Sequence, residues 1–492
     1  MKKLTTSLAV GVVAIATVAS GPLANAATTG TTITVHTGTT LATVPSAAIG
    51  VNDWQADEYM NTPGSDSLLA ADGVRVRELN TGPWDDVYRW QTNSFDHDPI
   101  TDGYGPATAQ PWQTWASHAK RIGAQMMVHV NYGSTATDGP GGTDIGPQEA
   151  AAWVRQANIV DHDGIKYWAI GEEVWGNGYF SFMGDFEPDH HTDKGPTFYG
   201  QEVAKYAAAM KAVDPSIKIG VELTPFGSTL PGGLTLPPWN DPVLAAAGNA
   251  VDFVDVHSYN YGGDDAALLA STANIPSLMQ LLRGEIAKHV QVVIGETNSN
   301  GIDPGTQGIT TPDALFAPDD ILTWLEQGAS DVNWFDSRHG PFPDQAGSPD
   351  DPNGTGYATW GLLSDGPTAC IPNTAGQQVC EPPLNTPYPG YYGYGMATRL
   401  ATPGARLVST TGAAAPIVTH AAIQRDGKLV VLVENEDPQS AHDVTIDYDG
   451  YRPQPFAPAF TYGPRGPGVT VTRSGNVHLA PYSMTELVLS RG

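Results

Sequence analysis

Between residues 47 and 336, short runs of apolar and β-branched residues alternate with longer stretches whose apolar positions recur at helical spacing. Eight runs fit strands: "AAIGVND" (47–53), "GVRVREL" (73–79), "AQMMVHVN" (124–131), "KYWAIGEE" (166–173), "IKIGVEL" (217–223), "VDFVDVHSY" (251–259), "QVVIGE" (291–296) and "SDVNWFD" (330–336). The intervening "PTFYGQEVAKYAAAMKAVD" and "PSLMQLLRGEIAKHV" each open with proline, which suits the first turn of a helix because its missing N–H has no partner there anyway. Strands alternating with helices predict parallel β-α units, and eight of them predict an α/β fold of the (β/α)8 TIM-barrel kind. An open doubly wound sheet would give a similar rhythm, but no glycine-rich phosphate loop follows the first run.

The pattern changes after "YYGYGMATRLATPG", which reads as the last barrel helix and its stop. Beyond it, "AAIQRDGKLVVLVENE", "AHDVTIDYDG" and "GVTVTRSGNVHLAPYSMTELVLS" alternate with a period of two, predicting a C-terminal all-β sandwich domain. The strand-like "TTITVHTGTTLATVP" near the amino terminus is expected to join it. The expected divisions are a leader at 1–26, this strand segment at 27–46, the barrel at 47–403 and the sandwich at 404–492.

The leader expectation comes from "MKKLTTSLAVGVVAIATVASGPLANA", with two lysines, a run of small apolar residues and Ala24-Asn25-Ala26 as a cleavage signal. It implies export, to a secreted, extracellular location. No segment is long and apolar enough to suggest a membrane span. The formal charge of −28 repels phosphate backbones and anionic lipid, so nucleic acid and membrane are not expected partners. A neutral substrate fits better, and 12 Trp, 19 Tyr and 12 Phe supply flat side chains able to stack on sugar rings, although most must serve the core. The only two cysteines, Cys370 and Cys380, bracket a short loop and are expected to form a disulfide that staples it.

In a barrel the reactive groups lie at the carboxyl ends of the strands. Glu173 ends the fourth run and Glu296 the seventh. Two carboxylates facing each other across a cleft are what glycoside hydrolysis requires, one to protonate the leaving oxygen and the other to attack the anomeric carbon or activate water. Alternation along the fourth run places Ala169, Gly171 and Glu173 on the axis-facing side and Trp168, Ile170 and Glu172 on the other, which favours Glu173 as the working residue.

With these residues the chain resembles clan A glycoside hydrolases close to families 39 and 51, the retaining β-xylosidases and α-L-arabinofuranosidases. The resemblance implies Glu173 as acid/base and Glu296 as nucleophile. It further implies that Arg77 approaches the nucleophile, that Asn131 contacts substrate, that His257 and Tyr259 form a His-x-Tyr pair whose tyrosine bonds the nucleophile, and that Trp334 floors the sugar site. Trp175 and Asn298, close to the two glutamates, complete the expected substrate-binding group with Glu172. Two departures stand out: "ELNTGPW" replaces the usual "PGG" turn, and Glu172 stands where asparagine is usual. An ionised Glu172 can only accept a hydrogen bond, so it is expected to take one from a substrate hydroxyl and alter the sugar preference.

The expected activity is exo-acting hydrolysis of furanosides such as α-L-arabinofuranosides in oligo- or polysaccharides, without a cofactor. Alternatives are a β-xylosidase, a galactofuranosidase, a D-arabinofuranosidase, an endo-glycanase, or a barrel that only binds carbohydrate. "DFEPDHHTDKGP" (185–196) could in principle hold a metal but reads better as a solvated loop, and "SPDDPNGTG" (348–356) lacks the ligand alternation of a calcium loop, so no metal site is expected.

Overall fold

A computed structural model describes residues 30–492 apart from 55–56, 58, 81, 97–109, 136–144, 181–184, 226–236, 260–262, 302–304 and 345–350. The leader expected at 1–26 lies outside the described residues.

The eight expected runs become eight parallel strands closed into a barrel. They are β1 (Gly50–Asp53), β2 (Val76–Leu79), β3 (Gln125–Val130), β4 (Tyr167–Ile170), β5 (Lys218–Leu223), β6 (Phe253–Tyr259), β7 (Gln291–Asn298) and β8 (Asp331–Trp334). Closure comes from β8 pairing with both β7 and β1. Alternate side chains divide cleanly. Val76, Met127, Ala169, Phe253 and Val293 make a small apolar cluster on the axis, while Val128, Trp168, Ile219, Val254 and Ile294 join the large core under the helices. Gly220 is needed beside that inner cluster, because a Cβ there would lie 2.2 Å from the Phe253 ring.

The helix expected after "KG" spans Pro196–Val213. The one expected to run to Val290 spans only Ile275–Glu285, because Ile286 turns extended and buries its side chain. The last barrel helix, Pro389–Leu400, packs on Thr311–Glu326 through Gly393, where a Cβ would meet the Ala314 carbonyl oxygen at 2.2 Å. Backbone cannot yield as a flexible side chain would. Gly393→Ala is therefore expected to cost about 1–3 kcal/mol by overpacking, read as a lowered thermal unfolding midpoint.

The second unit is a nine-stranded, largely antiparallel sheet that fits a β-sandwich. The strand Thr31–Thr43 belongs to it, antiparallel to Arg406–Thr411 and parallel to His442–Asp449. The barrel's outer core continues into the sandwich through Leu432, Tyr462 and Met484. Polar ties reinforce the seam: the ring nitrogens of His420 each lie 2.9 Å from a carboxylate, of Asp319 and of Glu326, and Arg399 donates to Glu486 at 2.7 Å. Cys370 and Cys380 are joined by a disulfide across the hairpin Cys370–Pro372 and Gln378–Cys380. Among the described residues no helix is long and apolar enough to cross a membrane.

Candidate active site

The chain leaves β4 through two left-handed residues, Gly171 at φ 77° and Glu173 at φ 39°. Gly171 is required twice over, by its positive φ and because a Cβ would lie 2.4 Å from Val174 and 2.9 Å from the Asp86 carboxylate. Glu173 has no such exemption, and a non-glycine residue held there stores backbone strain of about 1–3 kcal/mol, a cost found most often at working sites. This turn ends the strand alternation at Ile170. Both glutamates consequently turn to the inside of the barrel, Glu173 at its mouth and Glu172 buried just beneath.

His257, on the axis-facing side of β6, joins them to β7. Its Nδ1 is 2.8 Å from Glu173 Oε1, 3.3 Å from Glu296 Oε2 and 3.6 Å from Glu172 Oε1. Glu296 also accepts from the Tyr259 hydroxyl and, at 2.7 Å, from the Asn80 amide, which donates to Glu172 at 3.2 Å as well. The Asn80 side chain is itself fixed by the Gly82 N–H, 2.7 Å from its Oδ1. Exposure separates the carboxyl groups: the Glu173 side chain is 19% exposed, that of Glu296 7% and that of Glu172 1%.

Burial pushes Glu296 well above the ordinary carboxylate range; Glu172 and Glu173 reinforce this, while His257 and the Tyr259 hydrogen bond oppose it. Burial acts on Glu172 too, yet the charges of His257 and His129 and the bonds from His129 and Asn80 outweigh it and hold that group low. His257 is raised well above a normal histidine because Glu296, Glu172 and Glu173 overcome its desolvation. The pocket thus keeps one carboxylate ionised, one raised and one partly open to solvent, around a shared imidazolium.

A second polar layer lies beneath. His129 on β3 places Nε2 2.6 Å from Glu78 and Nδ1 2.8 Å from Glu172, and the latter nitrogen also donates to the Gly171 carbonyl at 2.9 Å. Asn333 on β8 donates to the other Glu78 oxygen at 2.5 Å. Glu222 and Asp255, neighbours on β5 and β6, are fully buried. Groups of these side chains bring ligand-type atoms within 4.8 Å of one another, and the hydrogen bonds engage both His129 nitrogens and His257 Nδ1.

The structure moves several expected site residues elsewhere. Arg77 faces the helices, donating to Asp53 at 2.6 and 2.7 Å and lying over Trp115, because Val76 and Glu78 take the inward positions of β2. Trp334 likewise packs outward against Phe316, while Asn333 points in. Asn131 braces loops, donating to the Tyr88 carbonyl and to Ser134, each at 3.1 Å. Asn298 donates to the carbonyls of Phe335 and Trp360, and Trp175 packs edge-on against Phe186 in the core. Glu172 is sealed under Asn80 rather than offered to substrate. In the segment 185–196, Asp189 accepts from Asn177 at 2.7 Å and from the His191 backbone N–H at 2.9 Å, a loop-fixing role.

Aromatic surface at the mouth comes from other residues. Phe335 meets Tyr259 at 6.4 Å and Trp360 at 5.5 Å, and Trp54, directly after β1, meets Trp84 at 5.5 Å. These and Asn80 were missed from sequence. Asn80 had a readable signal, being the polar residue that closes the second run.

A closed eight-stranded barrel, paired carboxylates at the ends of β4 and β7 and an appended sandwich place the chain among proteins resembling clan A glycoside hydrolases. No protein-family model matches it. Among curated relatives, an intracellular exo-α-(1→5)-L-arabinofuranosidase of Acetivibrio thermocellus is 26% identical over 235 residues, 42% of either chain. A Bacillus subtilis protein of the same description is 29% identical over 232 residues, 43% of this chain and 41% of its own. The chain thus spans less than half the length of these relatives. Among solved structures, the family 51 arabinofuranosidase of Xanthomonas axonopodis pv. citri superposes with a TM-score of 0.66 over 94% of this chain and 100% of its own, at 14% identity. A family 44 xyloglucanase of Paenibacillus polymyxa superposes with a TM-score of 0.64 over 94% of this chain and 99% of its own, at 13% identity, so the likeness to these structures is one of fold.

Proposed function

We propose that the chain is a retaining, exo-acting glycoside hydrolase for furanosides, with α-L-arabinofuranosides of oligo- or polysaccharides as substrate. The observation that carries this reading is the single His257 nitrogen lying 2.8 Å from a Glu173 oxygen and 3.3 Å from a Glu296 oxygen. Those two oxygens are then no further apart than about 6 Å, which accords with the ~5–5.5 Å between the carboxyl groups of a retaining enzyme. The names of the relatives support the arabinofuranoside.

In this reading Glu296 attacks the anomeric carbon as the bond to the leaving oxygen breaks, and Glu173 gives that oxygen its proton. Water then enters, Glu173 takes a proton from it, and the hydroxide displaces the Glu296 carboxylate, leaving the sugar with its original configuration. Exposure suits the roles: the more accessible Glu173 can exchange protons with water, whereas Glu296 is held in place by Asn80 and Tyr259. The leader-like residues 1–26 support a secreted enzyme, although the relatives' names describe intracellular ones.

The test is a panel of 4-nitrophenyl furanosides and pyranosides, with the anomeric form of the first product followed by proton NMR. Release from the α-L-arabinofuranoside above all pyranosides, with retention, is expected. Inversion overturns the mechanism. Binding of arabinan without turnover of any glycoside overturns the assignment as an enzyme.

A further inference from the structure

The polar layer inside the barrel is unusual chemistry for a packed core. Glu78 on β2, Glu172 after β4, Glu222 on β5 and Asp255 on β6 surround one imidazole, that of His129, and all are essentially inaccessible. Its Nδ1 approaches only acceptors, the Gly171 carbonyl at 2.9 Å and Glu172 Oε2 at 2.8 Å, so it carries a proton. Its Nε2 faces Glu78 Oε1 at 2.6 Å. Glu222 Oε1 and Asp255 Oδ2 each stand 3.9 Å from one of the two nitrogens. The strong cation nearest in sequence, Arg77, faces outward to Asp53 and offers the interior nothing. Above the layer, Glu172 shares the Asn80 amide with Glu296 and lies 3.6 Å from His257, which contacts Glu173.

Resting on the assignment of Glu296 and Glu173 made above, we propose that His129 is a positioning residue: an imidazolium that holds Glu172 as a carboxylate and thereby fixes the charge against which the two working glutamates ionise. The chain of contact is continuous, from Glu78 through His129 to Glu172, and from there through Asn80 to Glu296 and through His257 to Glu173. Burial holds Glu222 well above the carboxylate range and Asp255 up to about 7, so Glu222 enters the layer as a neutral acid and Asp255 as one only partly ionised at neutral pH, which leaves His129 chiefly to Glu78 and Glu172. His129 itself is raised well above a normal histidine, Glu172 and Glu78 outweighing its desolvation. Without the imidazolium, burial of Glu172 is opposed only by the charge of His257 and the hydrogen bond from Asn80, so its pKa rises and it takes up a proton more readily. Glu296 then loses a repelling neighbour and ionises at lower pH.

The experiment combines nitrogen-15 NMR of labelled histidines with pH profiles of kcat/KM on the aryl furanoside, for the native protein, His129→Gln, Glu172→Gln and the double variant. The native His129 is expected to show two protonated ring nitrogens at neutral pH, and to lose one at lower pH once Glu172 is Gln. Each single variant is expected to move the acidic limb down by about one pH unit, a tenfold change in ionisation constant. The double variant should move it no further, because both changes remove the same charge. A purely structural His129 would lower kcat and leave the limb in place. A neutral His129 in the native protein, or equal shifts by His129→Gln with and without Glu172, overturns the proposal. Should His129→Gln fail to fold, the NMR comparison of native and Glu172→Gln proteins decides alone. Should the native enzyme turn over no furanoside, the functional reading fails while the NMR arm still tests the imidazolium.

Discussion

Glu296→Gln is expected to lose at least ~10⁴-fold in kcat/KM on the aryl furanoside, the scale seen when one member of a catalytic unit is removed. That corresponds to about 5 kcal/mol of transition-state stabilisation. The amide keeps the size of the side chain and an oxygen able to accept from Asn80 or Tyr259, so the pocket should still bind sugar; what disappears is the carboxylate that bonds to the anomeric carbon. Stability should hold or rise. The native carboxyl is buried beside Glu172 and Glu173, which raise its pKa, and a neutral side chain removes that conflict. Three measurements separate the roles: kcat/KM, arabinose binding by calorimetry and the thermal midpoint. Loss of activity with unchanged binding and stability marks a nucleophile, whereas residual turnover within tenfold of native would remove Glu296 from that role.

Glu173→Ala is expected to behave differently, because an acid/base matters in proportion to the help the leaving group needs. On unactivated arabino-oligosaccharides the loss should be about 10²–10⁴-fold, the usual range for general acid–base catalysis. With the acidic 4-nitrophenol as leaving group, bond cleavage needs little protonation, so the glycosyl-enzyme should form and then accumulate as a burst. Azide needs no base to attack it. Added azide should restore turnover in Glu173→Ala and yield an arabinosyl azide of retained configuration, while Glu296→Gln should give no retained azide. Equal losses on activated and unactivated substrates would assign the proton to another group.

The barrel was legible because each strand is a compact apolar run and each run ends in polar residues. The same period of two explains the misplacements. Resemblance carried Arg77 and Trp334 to the right strands but to the wrong sides: the inward positions belong to Glu78 and Asn333, and the neighbouring residues face helices. The choice between Glu172 and Glu173 assumed that alternation continues, whereas the left-handed Gly171 and Glu173 break it and turn both inward, Glu173 at the mouth and Glu172 beneath it. His129, Glu222 and Asp255 each stood at inward positions of apolar strands, a pattern that flags a polar interior but not which group pairs with which. Those pairings depend on distances between strands far apart in sequence, which no local pattern contains.

The strand Thr31–Thr43 lies between Arg406–Thr411 and His442–Asp449 in the sandwich sheet. The barrel is accordingly inserted within the sandwich, not joined in series to it. During synthesis the first strand must wait, unpaired, until the entire barrel has emerged and the last strands follow. Pairings of such long sequence separation are slow to form, so the sandwich should be the late step of folding and the barrel the unit that organises it. Excising residues 404–492 would leave that strand's edges bare, a template for association between chains.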